Sequence, residues 1–175
     1  MCVTLCAMPT PRTVTYEYPS APDAVARLLS DPEFLRRRSE EAGEANVEVA
    51  IEDAGDGLRV VVARDKQVNL PAFARKMFSN LNRVVDSVTW RRQGEEWVSE
   101  YAIRIGGIPG EIQGRSTLMP LSSGCRHESS FEVTARVPVF ASKLEAFVAD
   151  LVERSFREYA DRNAEWLQRS PESAA

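Results

Sequence analysis

His127 is the only histidine in this 175-residue chain. Its side chain alone has an ordinary pKa near neutrality, so acid–base chemistry at pH 7 would run through it or through a shifted carboxylate. Asp86 is the carboxylate that could orient or charge the imidazole, and Tyr101 is a further group able to move a proton. Nucleophilic hydrolysis is poorly supported, because no Gly-x-Ser-x-Gly elbow accompanies any serine and every relay would depend on His127. Cys2, Cys6 and Cys125 cannot close a disulfide framework. The spacing of Cys2 and Cys6 could suit a metal, but zinc needs two more ligands, and only Cys125 and His127 are on offer. The residues therefore indicate no catalytic group, no metal and no cofactor, and a lone histidine near a strand start is more often an ordinary hydrogen-bonding residue.

Charge removes further classes. The 22 Lys+Arg are outweighed by 26 Asp+Glu for a net charge of −4, so no global basic field exists to hold nucleic acid or an anionic membrane. Arg36 to Arg38 and Arg91-Arg92 sit among Glu40, Glu41, Glu95 and Glu96 and read as solvated faces. No run of 18 apolar residues and no signal peptide is present, which leads to the expectation of a cytoplasmic protein in a reducing compartment, without stable membrane insertion. A homodimer is left open. Residues 1–11 are expected to be a disordered or upstream-start tail, 12–169 a single domain, and 170–175 a frayed tail.

Holding such side chains together requires elements that periodicity can place. Val14, Tyr16 and Tyr18 alternate in a first strand, and Ser20 can cap a short helix from about Pro22 to Ser30. Asp31-Pro32-Glu33 starts a second helix with Phe34 and Leu35 inward and Arg36 to Arg38 in water, ended by Gly43. Period two then returns through two hairpins, one around residues 53–57 and one at Gln93-Gly94. Between them, Phe73, Met77, Phe78 and Leu81 suggest a short helical segment, acting as a lid or a plug. After Gly106-Gly107-Ile108-Pro109-Gly110, two more strands follow. The last alternates from Cys125 to Val137 and should pair with its predecessor. A long amphipathic helix from about Phe140 to Gln168 would span about 40 Å.

This order is α+β: a curved antiparallel sheet of about seven strands, two short helices after strand 1, and one long C-terminal helix across the concave face. A curled sheet and a straight cylinder match poorly, so side chains, water or a ligand must fill the gap. Tyr16, Val60, Val88, Trp90, Trp97, Tyr101, Phe131 and Val133 should face Phe147, Leu151 and Phe156 across it. The polar Asp86, Ser99, Tyr101, Ser116, His127 and Ser129 share that inner face, and each must find a partner or cost roughly 1–3 kcal/mol. A wet or ligand-filled pocket meets that need. A one-residue slip in register would instead turn the same groups to solvent.

Gly106-Gly107-Ile108-Pro109, Gly114, Leu118-x-Pro120, Gly124, Val137-Pro138 and Lys143-Leu144-Glu145, with Trp90 and Asn69-Leu70-Pro71, resemble an uncharacterised bacterial family, a domain of unknown function, of the START-like (SRPBCC) helix-grip superfamily. The superfamily includes lipid-transfer domains, birch-pollen-allergen-like proteins and polyketide aromatases or cyclases. The resemblance covers about residues 12 to 169 and brings no catalytic residues. It implies a pocket between sheet and helix that takes a hydrophobic small molecule. The leading expectation is a non-catalytic carrier or sensor of a lipid-like or polyketide-like ligand, lined by Tyr16, Val60, Asp86, Trp90, Trp97, Tyr101, Ser116, His127, Ser129, Phe131, Phe147 and Leu151. The alternatives are a cyclase-like enzyme using His127, Tyr101 or Asp86, and a packed interaction module without ligand.

Overall fold

The computed structural model describes residues 11–76 and 78–169. Alternating apolar and polar side chains build β1 (Arg12–Tyr18), β2 (Ala45–Asp53), β3 (Leu58–Gln67), β4 (Leu81–Gln93), β5 (Glu96–Ile105), β6 (Gly110–Leu121) and β7 (Gly124–Ala135). The helices are α1 (Pro22–Leu28), α2 (Pro32–Glu41) and α3 (Ala141–Arg169). The seven strands form one antiparallel sheet in the order β1-β7-β6-β5-β4-β3-β2. β2 to β7 are thus a plain meander, and β1 closes onto the free edge of β7. The sheet is curved, and α3 lies across its inner face, packing on β7 and β1. With 29 residues, α3 is about 43 Å long.

Local chemistry explains most boundaries. At α2 the Asp31 side chain accepts from the Phe34 backbone N–H at 2.9 Å, Pro32 occupies the first turn, and Gly43 at φ 78° carries the chain out in the left-handed region. α1 departs from the sequence reading. Its N-cap is Ala21, because Pro22 takes the first helical position and leaves Ser20 one residue too early. Ser20 is buried, and its hydroxyl has no partner among the described residues.

Among the described residues, the stretch from Phe73 to Leu81 expected to be helical forms turns and not a helix. Turns occupy residues 72–76, held by Ala74 and Arg75 backbone N–H groups donating to the Pro71 carbonyl, and Leu81 already belongs to β4. Val68, Leu70 and Ala74 bury against Phe73, Phe78, Phe147 and Leu151. This stretch is a plug beneath the first half of α3. Met77, the expected tail 1–11 apart from Pro11, the expected tail 170–175, and the Cys2 and Cys6 spacing lie outside the described residues.

Besides that small cluster, two larger ones form the core on either side of a hollow. One gathers α1, α2 and the C-terminal half of α3 over Tyr18, Val60, Val62, Trp90, Leu118 and Cys125. The other sets Leu144, Val148 and Val152 of α3 on Val84, Tyr101, Ile103, Ile112, Phe131 and Val133.

Candidate functional site

Strand register sets the floor of the hollow row by row. One row crosses four strands as Ser129 on β7, Ser116 on β6, Ser99 on β5 and Trp90 on β4, with Val14 of β1 at its edge. The next row runs Phe131, Gly114, Tyr101, Val88 and Val60, and the one beyond it Val133, Ile112, Ile103, Asp86 and Val62. Three neighbouring serines therefore form a small polar strip inside an apolar surface. Above them lies a cavity of about 180 Å³ between the sheet and Leu151, Val152, Phe156 and Tyr159 of α3.

The strip is wired internally. Ser116 donates to the Ser129 Oγ at 3.0 Å, and the Ser129 and Tyr101 hydroxyls are hydrogen-bonded at 2.8 Å. Gly114 makes that last bond possible: the Tyr101 ring lies where a Cβ on residue 114 would stand. Burial pushes the Tyr101 hydroxyl up to about 12, so it stays protonated. Ser99 is buried on the cavity wall, and its hydroxyl has no partner among the described residues. The cavity is thus met by satisfied hydroxyls at Ser116, Ser129 and Tyr101 and by an unsatisfied one at Ser99.

His127 stands beside this strip, its ring 6.1 Å from that of Trp90 and 6.2 Å from that of Tyr18. Its Nε2 has no hydrogen-bond partner among the described residues, and desolvation pushes its pKa down to about 4. At neutral pH the imidazole is uncharged. The pairing of His127 with Asp86 weighed from the sequence does not form. The two residues sit on β7 and β4 with β6 and β5 between them, and Asp86 pairs instead with Arg64.

The other end of the cavity holds a buried charge network. Glu44 is ion-paired with Arg64 at 2.8 Å and with Lys66 at 3.0 Å, and it accepts a hydrogen bond from the Tyr159 hydroxyl at 2.6 Å. Arg64 also meets Asp86 at 2.8 Å, and Lys66 donates to the Ser155 hydroxyl at 3.1 Å. Burial alone would raise the Glu44 pKa, but Arg64, Tyr159 and Lys66 outweigh it and hold the carboxyl below its ordinary range. Arg64 is likewise held firmly charged: burial opposes the charge, while Asp86, Tyr159 and Glu44 more than offset that cost. Next to them, Arg38 lies over the Tyr159 ring at 4.2 Å and donates to Asn163 at 3.2 Å.

Nine of the twelve residues singled out from the sequence line the cavity: Tyr16, Val60, Asp86, Trp90, Tyr101, Ser116, His127, Ser129 and Leu151. The other three sit elsewhere. Trp97 turns its indole N–H to Asp23 at 2.7 Å and ties β5 to α1. Phe131 is covered by Phe156, edge to face at 5.7 Å. Phe147 packs on the small cluster of Val68, Leu70 and Ala74.

The sequence reading missed the charged end. It puts Arg38 in water with Arg36 and Arg37, yet Arg38 is buried, because its position one helical turn after Phe34 and Leu35 sets it on their face. Arg64 and Lys66 continue the inward parity of Val60 and Val62, a signal present in the sequence but followed only to Val62.

Comparison with known proteins agrees with this architecture. Residues 13–167 match a family described as Protein of unknown function (DUF2505). No curated protein matches the sequence. Among solved structures, the Zhui aromatase/cyclase from Streptomyces sp. R1128 superposes with a TM-score of 0.65 at 13% identity, over 91% of this chain and 94% of that one. The protein TTHA0849 from Thermus thermophilus gives 0.62 at 15% identity over 89% and 95%. A START superfamily protein from Mycobacterium smegmatis gives 0.54 at 12% over 89% and 98%. At such identities the likeness is one of fold, and that fold is the START-like helix-grip.

Proposed function

Because the chain belongs to the family described as Protein of unknown function (DUF2505), which supplies a fold and no reaction, we propose from its interior that it binds an apolar or amphipathic small molecule between sheet and α3. The observation that carries this reading is the cavity of about 180 Å³, walled by Val60, Val62, Val88, Trp90 and Phe156 and bordered by the serine strip. Apolar walls supply affinity by burial, at about 25 cal/mol per Å² before ordering costs, and a few fixed polar groups orient the guest. An engineered apolar cavity of roughly 150 Å³ takes benzene, so a compact ring or short chain is the right scale. A module packed solid inside would lack such a hollow.

Native mass spectrometry of the purified chain, with extraction of what it carries, tests the reading. The expected result is a bound small molecule lost on denaturation. Bare protein from several hosts, together with no binding of an apolar fluorescent probe, would overturn it.

A second reading, cyclase-like catalysis in the same pocket, is favoured by the likeness to the Streptomyces aromatase/cyclase and by the unpartnered Ser99 hydroxyl and His127 Nε2 on the cavity wall. Incubation of the chain with linear polyketide-like substrates separates the two: conversion lost in His127→Ala favours the enzyme, and unchanged substrate favours the carrier.

A further inference from the structure

The interior charges do not balance. Arg64 is engaged by Glu44 and Asp86, and Lys66 by Glu44 and Ser155, so the two carboxylates are already shared between two cations. Arg38 is the third. It is 9% exposed, lines the cavity, and has no carboxylate partner among the described residues. One of its terminal nitrogens donates to the neutral Asn163 amide, and its Nε–H has no partner among the described residues. A buried guanidinium facing a ring and an amide is a cation waiting for an anion, since burying an uncompensated charge is costly.

A second donor lies close by. Asn163 accepts from Arg38 through its oxygen and donates from its nitrogen to the Tyr18 hydroxyl at 3.1 Å. Tyr18 is therefore an acceptor in that bond, and its own proton has no acceptor among the described residues. Tyr18 is buried and lines the same cavity.

We propose that the ligand is an amphipathic monoanion, a compact apolar body carrying one carboxylate, whose acid group is held by Arg38 with Tyr18 as the second donor. The proposal rests on the small-molecule reading above and specifies its chemistry. One surplus positive charge matches one carboxylate. A phosphate monoester, with roughly −1.5 to −2 charges at neutral pH, would overshoot it. The planar guanidinium also suits a carboxylate, which it can meet through paired N–H groups. Burial pulls the Arg38 pKa below its ordinary value, a penalty that a bound anion would relieve.

The test uses matched pairs that differ only at the head: octanoate against octanol, and 3-phenylpropanoate against 3-phenylpropanol, titrated calorimetrically into the full chain. The expected result is at least tenfold tighter binding of the acid in one pair. Arg38→Gln should remove that preference, acid and alcohol then binding within about twofold of each other, while Arg38→Lys should keep part of it. Equal affinity for acid and alcohol, or a preference that survives Arg38→Gln, would overturn the proposal while leaving the cavity reading intact. If no acid, no alcohol and no apolar fluorescent probe binds, both fail together. Should Arg38→Gln not fold, the wild-type pairs alone decide.

Discussion

Tyr101 on β5 lies across Gly114, the residue opposite it on β6, and so brings its hydroxyl to 2.8 Å from Ser129 on β7. A methyl group on residue 114 would occupy the space of that ring. Gly114→Ala should therefore displace Tyr101 and lower stability by about 1–3 kcal/mol, as overpacking does. Combined with Tyr101→Ala, the two losses should sum to less than their separate values, a coupling that urea denaturation of the wild type, the two single variants and the double variant measures.

The serines of the strip should not behave alike. Ser129→Ala removes the shared partner of Ser116 and Tyr101 and should cost about 1–3 kcal/mol. Ser99→Ala removes a hydroxyl that has no partner among the described residues, and should be neutral or slightly stabilising. Thermal melts of the two single variants check the contrast, and equal losses would contradict the wiring described.

Arg64→Met should be among the most damaging single changes, because it strips the Glu44 and Asp86 carboxylates of their common cation. The expected loss is roughly 3–5 kcal/mol, the usual result of breaking one side of a buried ion pair. Adding Glu44→Gln should restore part of it. Chemical denaturation of the single and double variants reads the difference.

His127 gives a pH dependence with a defined sign. Its folded pKa is about 4 and its ordinary one is 6.5, so between these values the unfolded chain takes up a proton that the folded chain refuses. Well above pH 6.5 both states are neutral and the group has no effect. As pH falls from about 6.5 to about 5, stability should drop by roughly 1–2 kcal/mol through this residue. His127→Phe should flatten that slope in denaturation curves taken across the window. Glu44, held below its ordinary 4.5, adds its own loss only at lower pH.

Much of this arrangement was legible beforehand because strand parity is a strong signal. Alternation alone put Ser99, Ser116, His127 and Ser129 on one face, and register then aligned three of them in one row. Residues that depend on partners from distant elements were not legible. Trp97 shares the inward parity, yet its contact with Asp23 comes from α1 on top of the sheet, which no period in β5 records. Arg38 fell to a prior that charge means water, although the helical spacing from Phe34 argued otherwise. Glu44 sits just after α2 with no periodicity of its own, and only the fold brings it to Arg64.

The closure of β1 onto β7 has a kinetic side. From β2 onward each strand finds its mate next in the chain, whereas Tyr16 must meet His127 from more than a hundred residues away. Such distant contacts are entropically slow to form, so the N-terminal strand should zip last and open first. Hydrogen–deuterium exchange should accordingly show β1 amides opening ahead of those in β4 and β5. Each such opening would bare the β7 edge beside His127 and widen a guest molecule's access to the cavity.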